Sequence, residues 1–464
     1  TLTFSPFELW WLGPVAVALV AFGLHDLSPG QAALRGWCYG IGLFGTGTSW
    51  VYVSIHDYGY TGVPLAVFLT TLFVLSLALF YAVPFWFYRR FTGPRLAFLS
   101  FAGLWVLTEV LRTYLFTGFP WLLLGSAHVD SPLSPLAPIG GVFLLSLVTA
   151  LTGTLAVKFL QRHWWAGVSI AALWLLPFAL PSQWTTSSET SVRVALLQGN
   201  LPQSQKWSAE GQRSAANTYA ALTARQPEDV DLIVWPEAAL PMFEHQASAV
   251  LERIQTNLAA DTALLTGILQ RDEQGSFYNA VIGVGNVEGD YRKEHLVPFG
   301  EYLPLESMLR GVIGFFDLPM SYMSPGESDQ PPIRAAGLRI GSAICYEIVY
   351  PDLVAKRAKQ ADVLLTVSND TWFGESIGPL QHLRMARLRA LENGRYVIRA
   401  TNNGVTAVID PQGRITARAE RFETTSIRAD VQPMQGLTPF TRTGSWPSWL
   451  LAMLLVVPGL HLRR

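Results

Sequence analysis

Residues 338–352 read LRIGSAICYEIVYPD, and this stretch decides how the water-soluble part of the chain folds. Its first half is a short apolar run of the kind that forms a buried β-strand, and polar, helix-compatible sequence follows at 350–360. Cys345 therefore lies at the end of a predicted strand. Reactive side chains just beyond the carboxyl ends of strands are the usual way in which α/β proteins build a site.

Similar β-rich runs recur on both sides of this stretch, and polar stretches that suit helices separate several of them. The other runs are VRVALLQ at 192–198, DLIVW at 231–235, ALLTGIL at 263–269, NAVIGVG at 279–285, VLLTVSN at 363–369 and VTAVID at 405–410. The helix-compatible stretches are 210–225, 245–260, 350–360 and 379–394. This alternation of strand and helix predicts an α/β domain whose helices cover the sheet.

The composition of the chain divides it into a water-soluble part and an apolar part. Only 14% of the 464 residues are charged, whereas soluble proteins carry about 25%. The deficit is uneven, because apolar runs dominate 1–181 and 446–464, while 182–445 has the composition of a soluble protein. We therefore predict a transmembrane helical bundle at 1–181, a soluble domain at 182–445 and a C-terminal transmembrane helix at 446–464.

Seven apolar runs approach the roughly 20 residues that a helix needs to cross a bilayer. They lie near 7–24, 34–55, 62–88, 96–116, 139–160, 164–181 and 446–462. Basic residues occur in alternate links and at the C-terminus: Arg35, then Arg89, Arg90 and Arg95, then Lys158 and Arg162, then Arg463 and Arg464. Because Lys and Arg are retained in the cytoplasm, the pattern predicts that the soluble domain lies outside, which is the periplasm in a Gram-negative cell.

The charge and the cysteine content exclude several other classes of protein. The formal net charge is −1, which gives no indication of a nucleic-acid partner. Cys38 lies in an apolar run and Cys345 in the soluble part, so we expect no disulfide between them. His295, His382 and Asp370 form no zinc pattern, and the sequence has no glycine-rich phosphate loop. We therefore expect neither a metal nor a cofactor.

Three residues of the soluble domain have the chemistry that acyl transfer requires. This reaction needs a nucleophile, a base and a group that stabilises the oxyanion. Cys345 can be the nucleophile, Glu237 follows the run DLIVW, and Lys293 lies in YRKEHLVPFGEYLP. Each residue alone has a structural explanation, because a lone cysteine is usually buried and an isolated Glu or Lys usually lies on the surface.

The surrounding motifs resemble a known family. WPEAAL at 235–240, RKEHLVPFGEYLP at 292–304 and ICYEIVYPD at 344–352 resemble, in this order, the nitrilase superfamily. That superfamily has a Glu–Lys–Cys triad in an αββα sandwich. QGNLPQSQKW at 198–207, the run 368–414 and GLTPFTRTG at 436–444 resemble one branch more closely, the bacterial apolipoprotein N-acyltransferases. This branch usually has eight membrane helices, so we expect one helix upstream of Thr1.

The resemblance implies roles for individual residues. It implies that Cys345 is the nucleophile, Glu237 the general base and Lys293 the support of the oxyanion. Supporting or substrate-binding roles are implied for Glu301, Trp207, Asn279, Arg310, Phe316, Tyr346 and Glu347. Packing in a core or interface is the alternative for Trp207. Phe316, with its neighbour Phe315, resembles a mobile apolar segment near the site entrance, and a plain buried loop is the alternative.

The reaction implied by the resemblance is a two-step transfer. Cys345 takes a fatty acyl chain from a membrane phospholipid, expected to be the sn-1 chain of phosphatidylethanolamine. The thioester then passes this chain to the α-amine of the diacylglyceryl-cysteine at an apolipoprotein's N-terminus, the final step of lipoprotein maturation. The resemblance further implies the bacterial inner membrane, with the catalytic domain in the periplasm and the site open to the bilayer. We expect a monomer.

Two alternatives remain open at this stage. A membrane-tethered nitrilase-type amidase acting on small amides would use the same triad, although a soluble substrate needs no bundle of membrane helices. A scaffold or transporter with an inactive domain is the other alternative. Transport usually requires broken helices or charges at the membrane midplane, and only Glu109 and Arg112 fit that description. These two residues lie on one helix face, where they form either a functional or a structural pair.

Overall fold

The computed structural model describes residues 1–93, 96–304, 306–309 and 322–460. The chain forms two compact units. The first, here called the helical unit, consists of Thr1–Tyr52, Gly62–Trp184 and Thr438–Arg464. The second, here called the α/β unit, consists of Val53–Thr61 and Thr185–Leu437.

The helices and strands follow one another along the chain as follows. The helices are α1 (Leu12–Gly23), α2 (Pro29–Gly47), α3 (Trp50–Val53), α4 (Val63–Phe91), α5 (Ala97–Tyr114), α6 (Ala137–Leu160), α7 (Trp164–Leu175), α8 (Ala209–Ala224), α9 (Glu244–Asn257), α10 (Glu306–Leu309), α11 (Pro351–Ala358), α12 (Gly378–Asn393), α13 (Pro439–Thr443) and α14 (Trp446–Val456). The strands are β1 (Thr186–Ser187), β2 (Val192–Gln198), β3 (Leu232–Val234), β4 (Ala263–Arg271), β5 (Phe277–Val284), β6 (Val287–Glu288), β7 (Tyr291–Arg292), β8 (Ile333–Ala335), β9 (Leu338–Ile344), β10 (Val363–Ser368), β11 (Val397–Thr401), β12 (Ala407–Ile409), β13 (Ile415–Arg418), β14 (Thr425–Val431) and β15 (Met434–Gln435).

The helical unit has the apolar helices of a membrane protein. Among the described residues, three segments are long and apolar enough to cross a membrane: Val63–Phe91, Ala97–Thr117 and Ser134–Leu160. Leu12–Gly23, Trp164–Ala179 and Trp446–Gly459 are shorter apolar helices. Helix α4 exposes large apolar side chains along its length, including Phe68, Leu79 and Val83. An apolar surface of this extent suits lipid rather than water.

Helices α2 and α4 approach each other closely because α2 carries glycines on the facing side. A Cβ atom on Gly36 would lie 2.4 Å from the Tyr81 carbonyl oxygen, and one on Gly40 would lie 2.6 Å from Ala78 Cα. The spacing of four residues places both glycines on one helix face, which is the small-residue pattern that lets helix backbones meet in a membrane. Any side chain larger than hydrogen at Gly40 would therefore separate these helices.

Glu109 and Arg112, the charged pair of α5, both bind the segment that follows their helix. The Glu109 carboxylate accepts hydrogen bonds from the Leu124 amide at 2.7 Å and the Ser146 hydroxyl at 2.5 Å. The Arg112 guanidinium donates to the carbonyl of Phe119 at 2.9 Å and to that of Trp121. Both side chains are buried. These contacts favour the structural explanation of the pair, because they satisfy backbone groups that would otherwise be unpaired in an apolar environment.

In the described part of the chain, two mixed sheets form the body of the α/β unit. The seven-stranded sheet has the order β13-β12-β11-β10-β9-β8-β6, with β9, β10 and β11 parallel. The six-stranded sheet has the order β14-β2-β3-β4-β5-β7, with β2, β3 and β4 parallel. The other neighbouring strands of the two sheets pair antiparallel. The short strands β1 and β15 pair separately where the chain enters and leaves the unit.

The α/β unit has four layers. Val194 and Leu196 of β2 pack between the two sheets together with residues such as Ile340 of β9. The alternate residues Ala195 and Leu197 face the other way and pack against α8 and α9. Helices α11 and α12 contact β9, β10 and β11 of the second sheet. Because the central strands are covered on both faces, they are apolar at almost every position. The αββα sandwich predicted from the sequence is confirmed.

Candidate active site

Three predicted catalytic residues lie just beyond the ends of strands. Glu237 lies three residues after β3, Lys293 directly follows β7, and Cys345 directly follows β9. The first two strands belong to one sheet and the third to the other. The structure brings the three side chains together, since Lys293 Nζ lies 3.7 Å from Glu237 Oε1 and both charges act on the Cys345 thiol.

Lys293 is held between two carboxylates in the interior of the α/β unit. Its Nζ lies 2.8 Å from the Glu301 carboxylate, in addition to its contact with Glu237. The three side chains are buried, with residue exposures of 1% for Lys293, 6% for Glu301 and 7% for Glu237. Burial opposes the charged form, but Glu301 and Glu237 raise the pKa of Lys293 above its ordinary value. Lys293 is therefore a fixed cation.

Asn279 donates a hydrogen bond to each of the two carboxylates that contact Lys293. Its side-chain Nδ2 donates to Glu237 Oε1 at 2.7 Å and to Glu301 Oε1 at 3.0 Å, which uses both amide hydrogens. Its backbone carbonyl accepts a hydrogen bond from the Lys293 amide at 2.8 Å. Asn279 thus positions the base, the cation and the second glutamate relative to one another.

The second oxygen of Glu237 is bound by backbone. Its Oε2 accepts a hydrogen bond from the Asn369 amide at 2.7 Å, just beyond the end of β10. On the other side, Gly267 of β4 lies so close that a Cβ atom there would be 2.6 Å from Glu237 Cα. Ala238, the next residue, has a positive φ of 45°. The carboxylate is therefore fixed at both oxygens and through its own backbone.

Cys345 has an unusual backbone conformation and a thiol that resists ionisation. Its φ is +53°, a region that residues other than glycine seldom occupy and that occurs often at functional sites. The residue begins a short 3-10 helix, Cys345–Val349, directly after β9. Burial and the neighbouring Glu237 raise the pKa of the thiol well above its ordinary value, and Lys293 acts in the opposite direction. The thiol is therefore protonated at rest and needs a base to become a nucleophile.

Glu347 connects the segment of Lys293 to the segment of Cys345. Its Oε1 accepts hydrogen bonds from the amides of Glu294 at 2.7 Å and His295 at 2.9 Å, the two residues after Lys293. Its Oε2 accepts from the amide of Ile344 at 2.6 Å, the residue before Cys345. Burial raises the pKa of Glu347 to about 7, and these hydrogen bonds oppose that shift. The side chain fixes the cation and the nucleophile relative to each other.

Of the remaining predicted site residues, the structure describes the surroundings of Trp207 and Tyr346. Trp207 packs against a small apolar cluster that includes Leu269 and Leu296. This contact is the one that the packing alternative for Trp207 predicts. Tyr346 is buried, and its ring lies 5.3 Å from that of Tyr350. Arg310 and Phe316, like Phe315, lie outside the described residues. Among the described residues, no group of three or more His, Cys, Asp or Glu side chains could hold a metal ion.

The chain has close relatives over nearly all of its length. The apolipoprotein N-acyltransferase of Pseudomonas syringae pv. tomato is 46% identical over 472 residues, which cover 98% of this chain and 93% of the relative. That of Pseudomonas aeruginosa PAO1 is 47% identical, with 98% and 92% covered, and that of Vibrio vulnificus is 40% identical, with 98% and 93% covered. The chain belongs to the apolipoprotein N-acyltransferase family.

Two family models match two different parts of the chain. Residues 193–437 match the carbon-nitrogen hydrolase family. Residues 1–155 match the apolipoprotein N-acyltransferase N-terminal domain. The nitrilase-like assignment of the α/β unit, which the motifs around Glu237, Lys293 and Cys345 predict, is therefore confirmed.

The structure of this family member adds residues for which the sequence predicted no role at the site. The amide of Asn369 binds Glu237, and Asp370 and His382 lie in a buried group behind Cys345. Lys206 is buried close to Glu237, and burial lowers its pKa to about 8 while Glu237 opposes the shift. The sequence signal for these residues is their position in runs that resemble the family, since none has the spacing of a known catalytic pattern: Lys206 lies in 198–207, and Asn369, Asp370 and His382 lie in 368–414.

Proposed function

We propose that this membrane enzyme transfers an acyl chain from a phospholipid to the N-terminal amine of an apolipoprotein through a thioester on Cys345. The chain is an N-acyltransferase of the nitrilase superfamily, as its relatives' names and its carbon-nitrogen hydrolase region indicate. One observation carries the choice of nucleophile. Cys345 lies at a strained strand end beside a buried group that contains both a carboxylate and a fixed cation.

The first half-reaction moves the acyl chain from oxygen to sulfur. Glu237 removes the thiol proton, and the Cys345 sulfur attacks the carbonyl carbon of the phospholipid ester. The negative charge that develops on the carbonyl oxygen is stabilised by the Lys293 ammonium. The intermediate then collapses, the bond from carbon to the glycerol oxygen breaks, and that oxygen takes the proton from Glu237. A lysophospholipid leaves, and the acyl chain remains on sulfur as a thioester.

The second half-reaction moves the chain from sulfur to nitrogen. The α-amine of the diacylglyceryl-cysteine attacks the thioester carbon, and Glu237 takes a proton from the attacking nitrogen. The intermediate collapses with loss of the Cys345 thiolate, which recovers the proton from Glu237. The products are an amide on the apolipoprotein and the free enzyme. No atom changes its oxidation state, so this sequence of steps needs no redox partner.

The surrounding residues suit a base that must accept and return a proton repeatedly. Asn279 and the Asn369 amide bind the two oxygens of Glu237, so the carboxylate keeps its position while its proton changes. Glu301 balances part of the Lys293 charge. We propose that Glu301, Asn279 and Glu347 position the catalytic residues, because their hydrogen bonds are with Glu237, Lys293 and neighbouring backbone groups.

We also propose a location and a domain arrangement for this enzyme. It resides in the bacterial inner membrane, with helices in 1–181 and 446–464 and a periplasmic catalytic domain at 182–445. The alternating Lys and Arg residues of the links and the bacterial relatives support this orientation. We propose that the enzyme acts as a monomer.

The two cysteines allow a matched test of the nucleophile. The chain contains only Cys38 and Cys345, and Cys38 lies exposed on α2. We expect Cys345→Ala to abolish transfer from phospholipid to a diacylglyceryl lipopeptide, while Cys38→Ala retains it. Substantial transfer by the Cys345→Ala enzyme would exclude the thioester route.

The alternative of a small-amide hydrolase is not favoured. The relatives named apolipoprotein N-acyltransferase match nearly the whole chain, including the helical unit. If the purified enzyme hydrolysed small amides rapidly but left phospholipid esters intact, that alternative would replace the transferase.

A further inference from the structure

A buried group of polar side chains lies behind Cys345 and has no part in the reaction steps above. His382 Nε2, on α12, lies 3.1 Å from the Cys345 carbonyl oxygen, and His382 Nδ1 lies 3.0 Å from Asp370 Oδ1. Asp370 Oδ2 accepts a hydrogen bond from Arg399 Nη2 at 2.6 Å. His382 and Arg399 have no exposed surface, and Asp370 has 1%. Three elements of the α/β unit therefore meet at the carbonyl of the nucleophile.

The chemistry of these groups fixes the direction of the hydrogen bond to Cys345. A carbonyl oxygen can only accept, so His382 Nε2 must carry the proton and donate it. Burial opposes ionisation of Asp370, but Arg399 and His382 hold the pKa of that carboxyl below its ordinary value. Burial lowers the pKa of His382, so the ring is neutral and its Nδ1 is an acceptor. Arg399 Nη2 lies 3.2 Å from Nδ1 and donates to it, and the charged Asp370 accepts from the same Nη2 and so holds Arg399 beside the imidazole.

The space around Asp370 is as restricted as its hydrogen bonding. A Cβ atom on Gly404 would lie 2.3 Å from Asp370 Oδ2 and 2.5 Å from its Cβ. Any larger residue at position 404 would therefore displace the carboxylate. The absence of a side chain at Gly404 therefore leaves the space that the Asp370 carboxylate occupies.

The hydrogen bond from His382 to the Cys345 carbonyl also determines the direction of the Tyr346 amide. The peptide that joins Cys345 to Tyr346 is planar and trans, so its C=O and its N–H point in opposite directions. A hydrogen bond that fixes the Cys345 carbonyl on the side of α12 therefore also fixes the Tyr346 amide on the opposite side. This control matters because the positive φ of Cys345 is a conformation that its surroundings must maintain.

We propose that His382, held by Asp370 and Arg399, is a positioning residue that directs the Tyr346 amide at the carbonyl oxygen of the acyl group on Cys345. The amide after a nucleophile at a sharp turn that ends a strand is a common donor to the oxyanion. Tyr346 N–H and the Lys293 ammonium then stabilise the same oxygen. The inference rests on the proposed function, because it needs a tetrahedral intermediate on the Cys345 sulfur.

Two substitutions of His382 form a matched pair. In His382→Gln, the amide nitrogen occupies nearly the position of Nε2 and can donate to the Cys345 carbonyl. In His382→Asn, the shorter side chain keeps a polar group near Asp370 but cannot reach Cys345. Both replacements are neutral and polar, so they differ mainly in the hydrogen bond that the proposal requires.

Two reactions of Cys345 distinguish a lost positioning of the Tyr346 amide from general damage to the thiol or the fold. Acylation by phospholipid passes through an oxyanion, whereas alkylation by iodoacetamide replaces iodide at a carbon atom and forms none. We expect single-turnover acylation to fall about 10²–10³-fold in His382→Asn, as when an oxyanion donor is lost. We expect His382→Gln to retain most of the rate, and alkylation of Cys345 to stay unchanged in both variants.

Several results would overturn the proposal. Acylation and alkylation that fall in parallel in His382→Asn would show damage to the thiol or the fold instead. Equal loss of acylation in both variants, with normal alkylation, would show that the donated hydrogen bond is not what matters. A wild-type enzyme that is alkylated but never acylated would contradict the proposed function itself.

A second variant keeps the test decisive if His382→Asn does not fold. Gly404→Ala leaves His382 unchanged but displaces the Asp370 carboxylate that holds Arg399 against it. We expect slower acylation with unchanged alkylation in this variant. Normal acylation in Gly404→Ala, with a folded enzyme, would exclude Asp370 from the positioning group.

Discussion

The Lys293 ammonium lies 2.8 Å from the Glu301 carboxylate, and both groups are almost wholly buried. A buried charge that loses its partner is strongly destabilising, because neither water nor another charge replaces the lost contact. Glu237 also lies near Lys293, at 3.7 Å, but it must change its proton during the proposed reaction. Glu301 is therefore the partner that keeps Lys293 charged at every stage.

The first prediction concerns Glu301→Gln. We expect this variant to lose about 3–5 kcal/mol of stability, as when one partner of a buried ion pair is removed, and to lose most of its transferase activity. Thermal unfolding in detergent and turnover with phospholipid and lipopeptide measure the two effects. Asp329→Asn breaks an exposed ion pair with Lys356 in the same unit and is expected to change neither quantity. Normal stability and turnover in Glu301→Gln would contradict the assigned role.

The second prediction concerns Glu347→Leu. This change leaves the amides of Glu294, His295 and Ile344 without their acceptor, and each unsatisfied buried group costs about 1–3 kcal/mol. We expect lower stability and a large fall in kcat, because Lys293 and Cys345 lose their fixed separation. Glu347→Gln keeps one acceptor oxygen and should lie between the wild type and the Leu variant. An equal effect of the two substitutions on kcat would argue against positioning by hydrogen bonds.

The third prediction concerns pH and Lys206. Burial, opposed by Glu237, lowers the pKa of Lys206 from 10.5 to about 8. Between these two values the unfolded chain holds a proton that the folded chain has released, so the stability of the enzyme rises with pH across this window. Lys206→Met should remove that rise and stabilise the protein at pH 7 by about 3 kcal/mol. Unfolding measured from pH 7 to pH 10 tests this, and identical pH profiles of the two proteins would contradict it.

The fourth prediction concerns the contact between α2 and α4. Gly40→Val should separate the two helices and destabilise the helical unit, because a Cβ atom on residue 40 would lie 2.6 Å from Ala78 Cα. Gly42 is the matched control on the same helix, since a Cβ atom there meets nothing within 4 Å. We expect Gly42→Ala to be neutral or slightly stabilising, as alanine favours helices over glycine. Thermal unfolding of the two variants in the same detergent compares them directly.

The sequence predicted the strands that are apolar along most of their length and missed two strands that carry charge away from their first residues. The run VRVALLQ coincides with β2, and all seven predicted runs overlap a strand. Strand β11 was missed because its run VIRAT includes Arg399, which is buried only because Asp370 neutralises it. Strand β14 was missed because this edge strand is mostly half-buried and carries the exposed residues Arg428 and Asp430.

The candidate site was predictable to the extent that its residues end strands and lie in recognisable motifs. Cys345, Glu237 and Lys293 satisfy both conditions. Asn369 contributes a backbone amide to Glu237, which no side-chain pattern records. His382 acts on the Cys345 carbonyl from a helix 37 residues away, so only the tertiary structure reveals the contact.

The most direct test of the account is the intact mass of the enzyme after brief exposure to a phospholipid of defined acyl composition. The account predicts that the wild type and Cys38→Ala gain one acyl group of the donor's mass, that fragmentation places it on Cys345, and that added lipopeptide amine removes it. An acyl group found elsewhere on the chain, or transfer to the amine without any acylated enzyme, would contradict the account.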